Sequence, residues 1–242
     1  MINTFLITGA SQGLGRALAL QLVGMGHRVY AVGRSENLLA GLSKISELIV
    51  PIVADISEEQ GRQHIYTQVD KNKSLSIIHN AAMALPDLFS DDELSHQHFA
   101  TNYFAPLAIT RQFLALLKGQ RVLHISSGAA STALPGLLSY CASKAALEQA
   151  TRCLNVELNS QDIYFASLRP GMIDTGMQLK FRNAEKSKLP NVDFYLDAKK
   201  NHKLASPEQA ANFIIKVLLK TSNELFSNSL WNIYDEEQLN KL

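Results

Sequence analysis

Ile2-Asn-Thr-Phe-Leu-Ile-Thr8-Gly9-Ala-Ser11-Gln12-Gly13-Leu14-Gly15-Arg16 is the stretch whose reading decides the fold. Ile2 to Thr8 is a short apolar run with the character of a buried strand, and an apolar helical period then runs to about Met25. Between them, glycines at 9, 13 and 15 permit positive backbone dihedrals and close approach of another molecule. The helix N-terminus presents free N–H groups and a positive dipole end to an anion. Strand, glycine turn and helix together form a phosphate cradle. A tight turn that merely needs glycine is the alternative, because the spacing is not the commoner G-x-G-x-x-G.

The alternation continues. His27–Gly33 reads as a second strand, followed at once by Arg34, and Ser35-Glu36 opens a helix to about Ile45. Leu48–Ala54 is a third strand ending at Asp55-Ile56, and Ser57-Glu58-Glu59 starts a helix with acids at its positive end. Leu75–His79 is a fourth strand leading into Asn80-Ala81-Ala82. One long helix is expected from about Glu93 to Lys118, with a solvated His96/His98 face and with Asn102, a poor helix former, in its interior. Arg121–Ile125 is a fifth strand ending in Ser126-Ser127-Gly128, and a helix follows over about Ser139–Asn159. Asp162–Leu168 is a sixth strand, running into Arg169-Pro170-Gly171-Met172-Ile173-Asp174-Thr175. Gly176–Ala205 reads as the least regular stretch, with mixed charge and only short helical patterns, the kind of long segment that forms lids. Ser206-Pro207-Glu208 caps a helix to about Lys220, and Leu230–Tyr234 is a last strand. This order predicts an α/β fold: a doubly wound parallel sheet of about seven strands, helices on both faces, in one domain spanning 1–242. Ligands of such sheets bind at the carboxyl ends of the strands, where most of the unusual residues fall.

Composition narrows the function classes. The 242 residues are 46% hydrophobic and 19% charged, with net charge +1, which offers no basic excess for nucleic acid. No run approaches the ~20 apolar residues of a membrane span, and no charged leader precedes an apolar run, so a soluble cytoplasmic protein is expected. Cys141 and Cys153 are twelve residues apart in one expected helix, ~18 Å, too far for a disulfide. No four-ligand metal spacing occurs.

Tyr140 and Lys144, four apart on the same helix, share a face. A fixed ammonium beside a phenol favours the phenolate and suits the tyrosine to proton exchange near neutral pH. Arg34 stands where a dinucleotide fold meets the adenosine ribose. An acid there would hold the 2′-hydroxyl, whereas an arginine, with Arg16 able to assist, suits a 2′-phosphate and so NADP. Met172, Met177, Leu179, Phe181 and Trp231 either line an apolar pocket or pack in the core.

Taken in order, these motifs resemble the short-chain dehydrogenase/reductase family, in its short single-domain branch, over nearly the whole chain. Thr8-Gly9-Ala-Ser11-Gln12-Gly13-Leu14-Gly15 is similar to the family's nucleotide loop, Asp55 with Ile56 to its adenine-contacting segment, and Asn80-Ala81-Ala82 to the Asn-Ala-Gly after the fourth strand. Ser127, thirteen residues before Tyr140, matches the catalytic serine, and Asn102 the helix asparagine. Pro170-Gly171 with Ile173 and Thr175 matches the segment at the nicotinamide end. His79 and Ala82 depart from the pattern, which usually has asparagine and glycine there. Asp174-Thr175-Gly-Met177-Gln178 and Trp231-Asn232-Ile233-Tyr234-Asp235 are also similar to sepiapterin reductases and microbial benzil reductases. Asn232 falls where pterin-reducing members carry a carboxylate, which favours a dicarbonyl substrate.

The resemblance implies a Rossmann-type fold and reduction of a ketone or vicinal diketone with NADPH. Tyr140 is then the acid, Lys144 the group that lowers its pKa and binds the ribose, Ser127 the carbonyl-polarising donor, and Asn102 the residue that positions a water. It also implies a homodimer or homotetramer, a small-molecule carbonyl substrate and no metal. A sepiapterin reductase, a non-catalytic NADP sensor and an NAD alcohol dehydrogenase are the rival readings.

Overall fold

A computed structural model describes residues 3–86, 89 and 92–240; Ile2, expected to begin the first strand, lies outside them. Seven parallel strands form one sheet: β1 (Thr4–Thr8), β2 (Arg28–Gly33), β3 (Ile49–Val53), β4 (Ser76–His79), β5 (Gln120–Ile125), β6 (Ile163–Arg169) and β7 (Leu230–Asn232). Their order is β3-β2-β1-β4-β5-β6-β7, so the direction of winding reverses between β1 and β4. The carboxyl ends of these two strands therefore flank a crevice.

The pleat sorts side chains to the two faces. Phe5 and Ile7 enter one core with Leu14, Leu18 and Leu22 of α1 (Gly13–Gly24), Leu39 of α2 (Glu36–Ser43) and Ile214 of the helix Pro207–Lys220. Leu6, between them, enters the opposite core with Ile65 of α3 (Glu59–Gln68) and with Ile109 and Phe113 around the Asn102 helix. Strands buried on both faces read as unbroken apolar runs, which is why the sheet was legible in the sequence.

Two expected segments differ. The single helix from Glu93 to Lys118 is α4 (Asp92–Phe99), a π-helical turn (Ala100–Phe104) and α5 (Ala105–Gln112), with a 3-10 turn at Leu114–Leu116. The wider π turn carries Asn102, which is fully buried. Such turns concentrate at functional sites, and no side-chain periodicity announces one. His98 is likewise buried rather than solvated: its Nδ1 lies 2.7 Å from the Leu94 carbonyl and its Nε2 accepts from Leu85 N at 3.2 Å.

The second difference is Gly176–Ala205, expected to be irregular. It contains α7 (Gly176–Arg182) and α8 (Val192–Lys200), both too short to show a clear period. Its ends are tied by a bridge between Ile173 and Ala205, with Asp174 N donating to Ala205 O and Ala205 N to Met172 O. Asp174 also pairs with Arg182 and Lys199, one from each helix. The long helix α6 (Leu138–Leu158) and α9 (Pro207–Lys220) match expectation, the latter with a complete Ser206/Gln209 capping box. The last strand stops two residues early, at Asn232. No helix among the described residues is long and apolar enough to cross a membrane.

Candidate active site

The glycine turn has the geometry of an anion cradle. Gly9 and Gly13 have φ of 68° and 54°, in the left-handed region that side chains rarely adopt. A methyl at Gly15 would sit 2.2 Å from the Gly9 carbonyl oxygen and 2.5 Å from Asn80 Nδ2. Gln12 precedes α1 in extended conformation and gives no side-chain cap, so the first turn of the helix is open to an outside acceptor. Leu14 is turned the other way, into the core.

Neighbouring strand ends brace this loop. Asn80 donates from Nδ2 to the Thr8 and Gly9 carbonyls at 3.0 and 3.1 Å, and Asn80 N and Ala81 N both donate to Thr8 Oγ1. A side chain on Gly9 would meet Ala81 Cα, one on Gly33 would meet Ser11, and one on Gly13 would meet Thr175. Ser11, Ala81 and Thr175 are thus drawn to one crevice, with half-buried Ala82 following on the same strand end. Asn80 spends its amide on the loop backbone. At the adenosine side, Arg34 is 80% exposed and its guanidinium lies 3.6 Å from Asp55. Burial raises the Asp55 carboxyl, but two hydrogen bonds from Ser57 and the Arg34 charge outweigh it and hold the group below its usual range. Ile56 is buried in the core beside it. A dinucleotide fits these residues: the pyrophosphate has the cradle, and the adenosine end has Arg34 and Asp55.

Past the cradle the catalytic candidates converge. Ser127 directly follows Ser126 at the end of β5 and acts on the Tyr140 phenol, which it pulls down against burial, while its Oγ accepts from Ala129 N at 3.2 Å. Lys144, 2% exposed, donates from Nζ to the Ile125 carbonyl at 2.8 Å. Asn102 accepts from Met83 N and donates to Met83 O, both at 2.8 Å, and donates to Ser143 Oγ at 3.0 Å. Both amide protons are then committed, and the Asn102 side chain braces the loop after β4 against α6.

The electrostatics also differ from expectation. Burial pushes the Tyr140 phenol above its ordinary value, the Ser127 hydrogen bond pulls it partly back, and Cys141 adds to the rise. The opposing pull comes from Ser127 and not from Lys144, whose ammonium is turned to Ile125, and the phenol stays raised. Lys144 itself is drawn down to about 8 by burial, opposed by the Glu148 charge.

Pro170 is buried after β6; Gly171 has φ of 73°, and a side chain there would also meet the Tyr234 hydroxyl. That hydroxyl accepts from Met172 N at 3.0 Å. Ile173 is buried, and Thr175 faces Gly13. Phe181 and Met177 join an apolar cluster with Tyr140, Leu137 and Tyr195, whereas Leu179 is exposed and Trp231 is fully buried in the core with α1 and α9. Trp231 is therefore no pocket residue: its Nε1 donates to Phe226 O, and its ring fills the gap under β7. Tyr195, whose ring is tilted 42° against that of Phe181 with centroids 4.9 Å apart, was missed by the sequence reading. Its only local signal is the aromatic pair Phe194-Tyr195 in a polar segment.

The short chain dehydrogenase family model matches residues 3–186. The benzil reductase ((S)-benzoin forming) of Bacillus subtilis is 29% identical over 231 residues, covering 90% of this chain and 94% of that protein. The L-xylulose reductase of Caenorhabditis elegans is 35% identical over 184 residues, covering 71% and 72%. Among solved structures, a short chain dehydrogenase from Burkholderia cenocepacia in complex with NADP superposes with TM-score 0.75 at 26% identity, covering 99% of this chain and 91% of that one. With this cradle, this crevice and a family match over three quarters of its length, the chain belongs to the short-chain dehydrogenase family of oxidoreductases, whose fold binds a nicotinamide cofactor.

Proposed function

We propose that this protein is an NADPH-dependent carbonyl reductase acting on aromatic ketones or vicinal diketones. One observation carries the reading: Tyr140, whose phenol Ser127 acts on, sits in an apolar cluster whose other large members, Phe181 and Tyr195, come from the segment after Thr175. A flat aryl carbonyl suits that cluster. The likeness to a benzil reductase supports the same substrate class, and the NADP complex of a 26% identical structure supports the cofactor.

In this mechanism the glycine cradle and the Pro170–Thr175 segment orient the nicotinamide, which when bound supplies the hydride. Ser127 donates to the substrate carbonyl oxygen and stabilises the charge that develops there. Tyr140 delivers the proton to that oxygen, and the elevated phenol keeps the proton available until the charge appears. Lys144 would hold the sugar at the nicotinamide end. Asn102 fixes α6 against the loop after β4. The helices α7 and α8 act as the substrate lid, excluding water from the acid.

A spectrophotometric assay of NADPH oxidation with benzil, 1-phenyl-1,2-propanedione, sepiapterin and an acetoacetyl thioester tests the reading. Fast turnover of the two diketones is expected; tight NADPH binding with no turnover of any carbonyl would turn the protein into a sensor. Asn232 gives a pterin little support, since its Oδ1 accepts from Tyr234 N at 3.1 Å.

The cofactor preference has its own test. Arg34→Ala is expected to weaken NADPH binding about tenfold, the scale of one charge-assisted hydrogen bond, and to leave NADH binding unchanged. An equal loss for both nucleotides would remove Arg34 from phosphate recognition.

A further inference from the structure

We infer that Glu148 is a positioning residue of the active site, joining the ends of β5 and β6 to the face of α6 that carries Tyr140 and Lys144 and supplying the counter-charge to the Lys144 ammonium. It extends the i, i+4 row Tyr140–Lys144 by one more turn. Its carboxylate is 5% exposed and fully engaged. Ser126 Oγ donates to Oε1 at 2.7 Å, and Arg169 donates from Nε to Oε1 and from Nη2 to Oε2, both at 2.8 Å. Arg169 Nη1 continues to Ser131 Oγ at 2.9 Å.

The position of these partners in the chain gives the contact its meaning. Ser126 lies between Ile125, whose carbonyl takes Lys144, and Ser127, which holds Tyr140. Arg169 immediately precedes Pro170-Gly171. One carboxylate therefore sets the relative position of the carbonyl-polarising serine, the acid and the segment proposed to orient the nicotinamide. A bidentate arginine–carboxylate pair is the geometry best suited to hold such a register. Stability alone does not account for it, because buried ion pairs are often no better than apolar pairs of the same size.

The charges facing Lys144 from each packed element single out Glu148. Tyr140 and Glu148 are on its own helix, His79 comes from β4, His124 from β5 and Arg169 from β6. Thr151 spends its hydroxyl proton on Leu147 O, so His124 must donate from Nδ1 to Thr151 Oγ1. Both histidines are neutral: burial and the neighbouring positive charge hold His124 at about 3 and His79 well below its usual value. The negative charge that opposes the cost of burying Lys144 comes from Glu148.

The test is the titration of Lys144, read by NMR in cofactor-free protein labelled with [ε-13C]lysine and assigned with Lys144→Arg. Glu148→Gln removes the negative charge, disfavours the ammonium, and is expected to lower the midpoint by about one pH unit or more. Arg169→Met frees the carboxylate and removes a competing positive charge, so the midpoint should rise. An ion pair with no electrostatic hold on Lys144 would move neither midpoint, and unchanged midpoints in both would overturn the inference. Should Glu148→Gln fail to fold, the upward shift in Arg169→Met still decides. The kinetic arm rests on the reductase reading: the alkaline limb of kcat/KM should move down in the first variant and up in the second. NMR shifts without turnover in the unaltered protein would sink that reading and leave this one standing. Turnover with unshifted midpoints would do the reverse.

Discussion

Tyr140→Phe is expected to lower kcat for every carbonyl substrate by at least about 100-fold, the low end for a positioned acid, while NADPH binds nearly as before. The substitution removes one oxygen and keeps the ring, so the cluster with Leu137, Phe181 and Tyr195 stays filled. Ser127 loses a partner, which costs about 1 kcal/mol if nothing replaces it. That loss acts on stability and is too small to unfold a domain of this size. Turnover is hit harder because the proton must arrive at the moment the carbonyl oxygen becomes basic, and phenylalanine has no proton to give. Steady-state kinetics alongside a fluorescence titration with NADPH separates the two effects. A variant retaining half its turnover would take Tyr140 out of the acid role; a variant that no longer binds NADPH would assign it to the cofactor instead.

Gly15→Ala should produce the second large effect, on binding and on stability together. The new methyl would stand 2.2 Å from the Gly9 carbonyl oxygen and 2.5 Å from Asn80 Nδ2, both inside contact distance. Neither neighbour is free to yield, since Asn80 Nδ2 already holds the Thr8 and Gly9 carbonyls. The cradle must open to admit the methyl. Overpacking of this kind costs about 1–3 kcal/mol, which lowers Tm by about 2–12 °C in a chain of this length. NADPH affinity is expected to fall at least about tenfold, because the phosphates depend on backbone groups that have moved. Gly24→Ala in the same helix is the control. Its methyl would meet nothing within 4 Å, so stability should hold or rise slightly. Equal Tm and equal affinity for Gly15→Ala and the unaltered protein would show that the cradle is looser than its contacts imply.

The sequence by itself determined the parts of this protein that depend on neighbours a few residues apart. Apolar runs marked strands buried on both faces, glycine spacing marked the cradle, and the four-residue interval placed Tyr140 and Lys144 on one face of α6. The order of elements was enough to predict the parallel doubly wound sheet. Only the tertiary structure decided what depends on partners far along the chain. Lys144 meets Ile125 across 19 residues and Glu148 meets Arg169 across 21, contacts that exist because β5 and β6 lie side by side under α6. The π turn at Asn102 escaped notice because a widened turn leaves no periodic mark, and α7 and α8 showed only as short helical patterns because a helix of seven or nine residues scarcely completes a period. The sign of the Tyr140 shift was likewise hidden. Spacing reports that a cation is near, but desolvation is set by everything packed around the phenol, and there burial outweighs the hydrogen bond that opposes it.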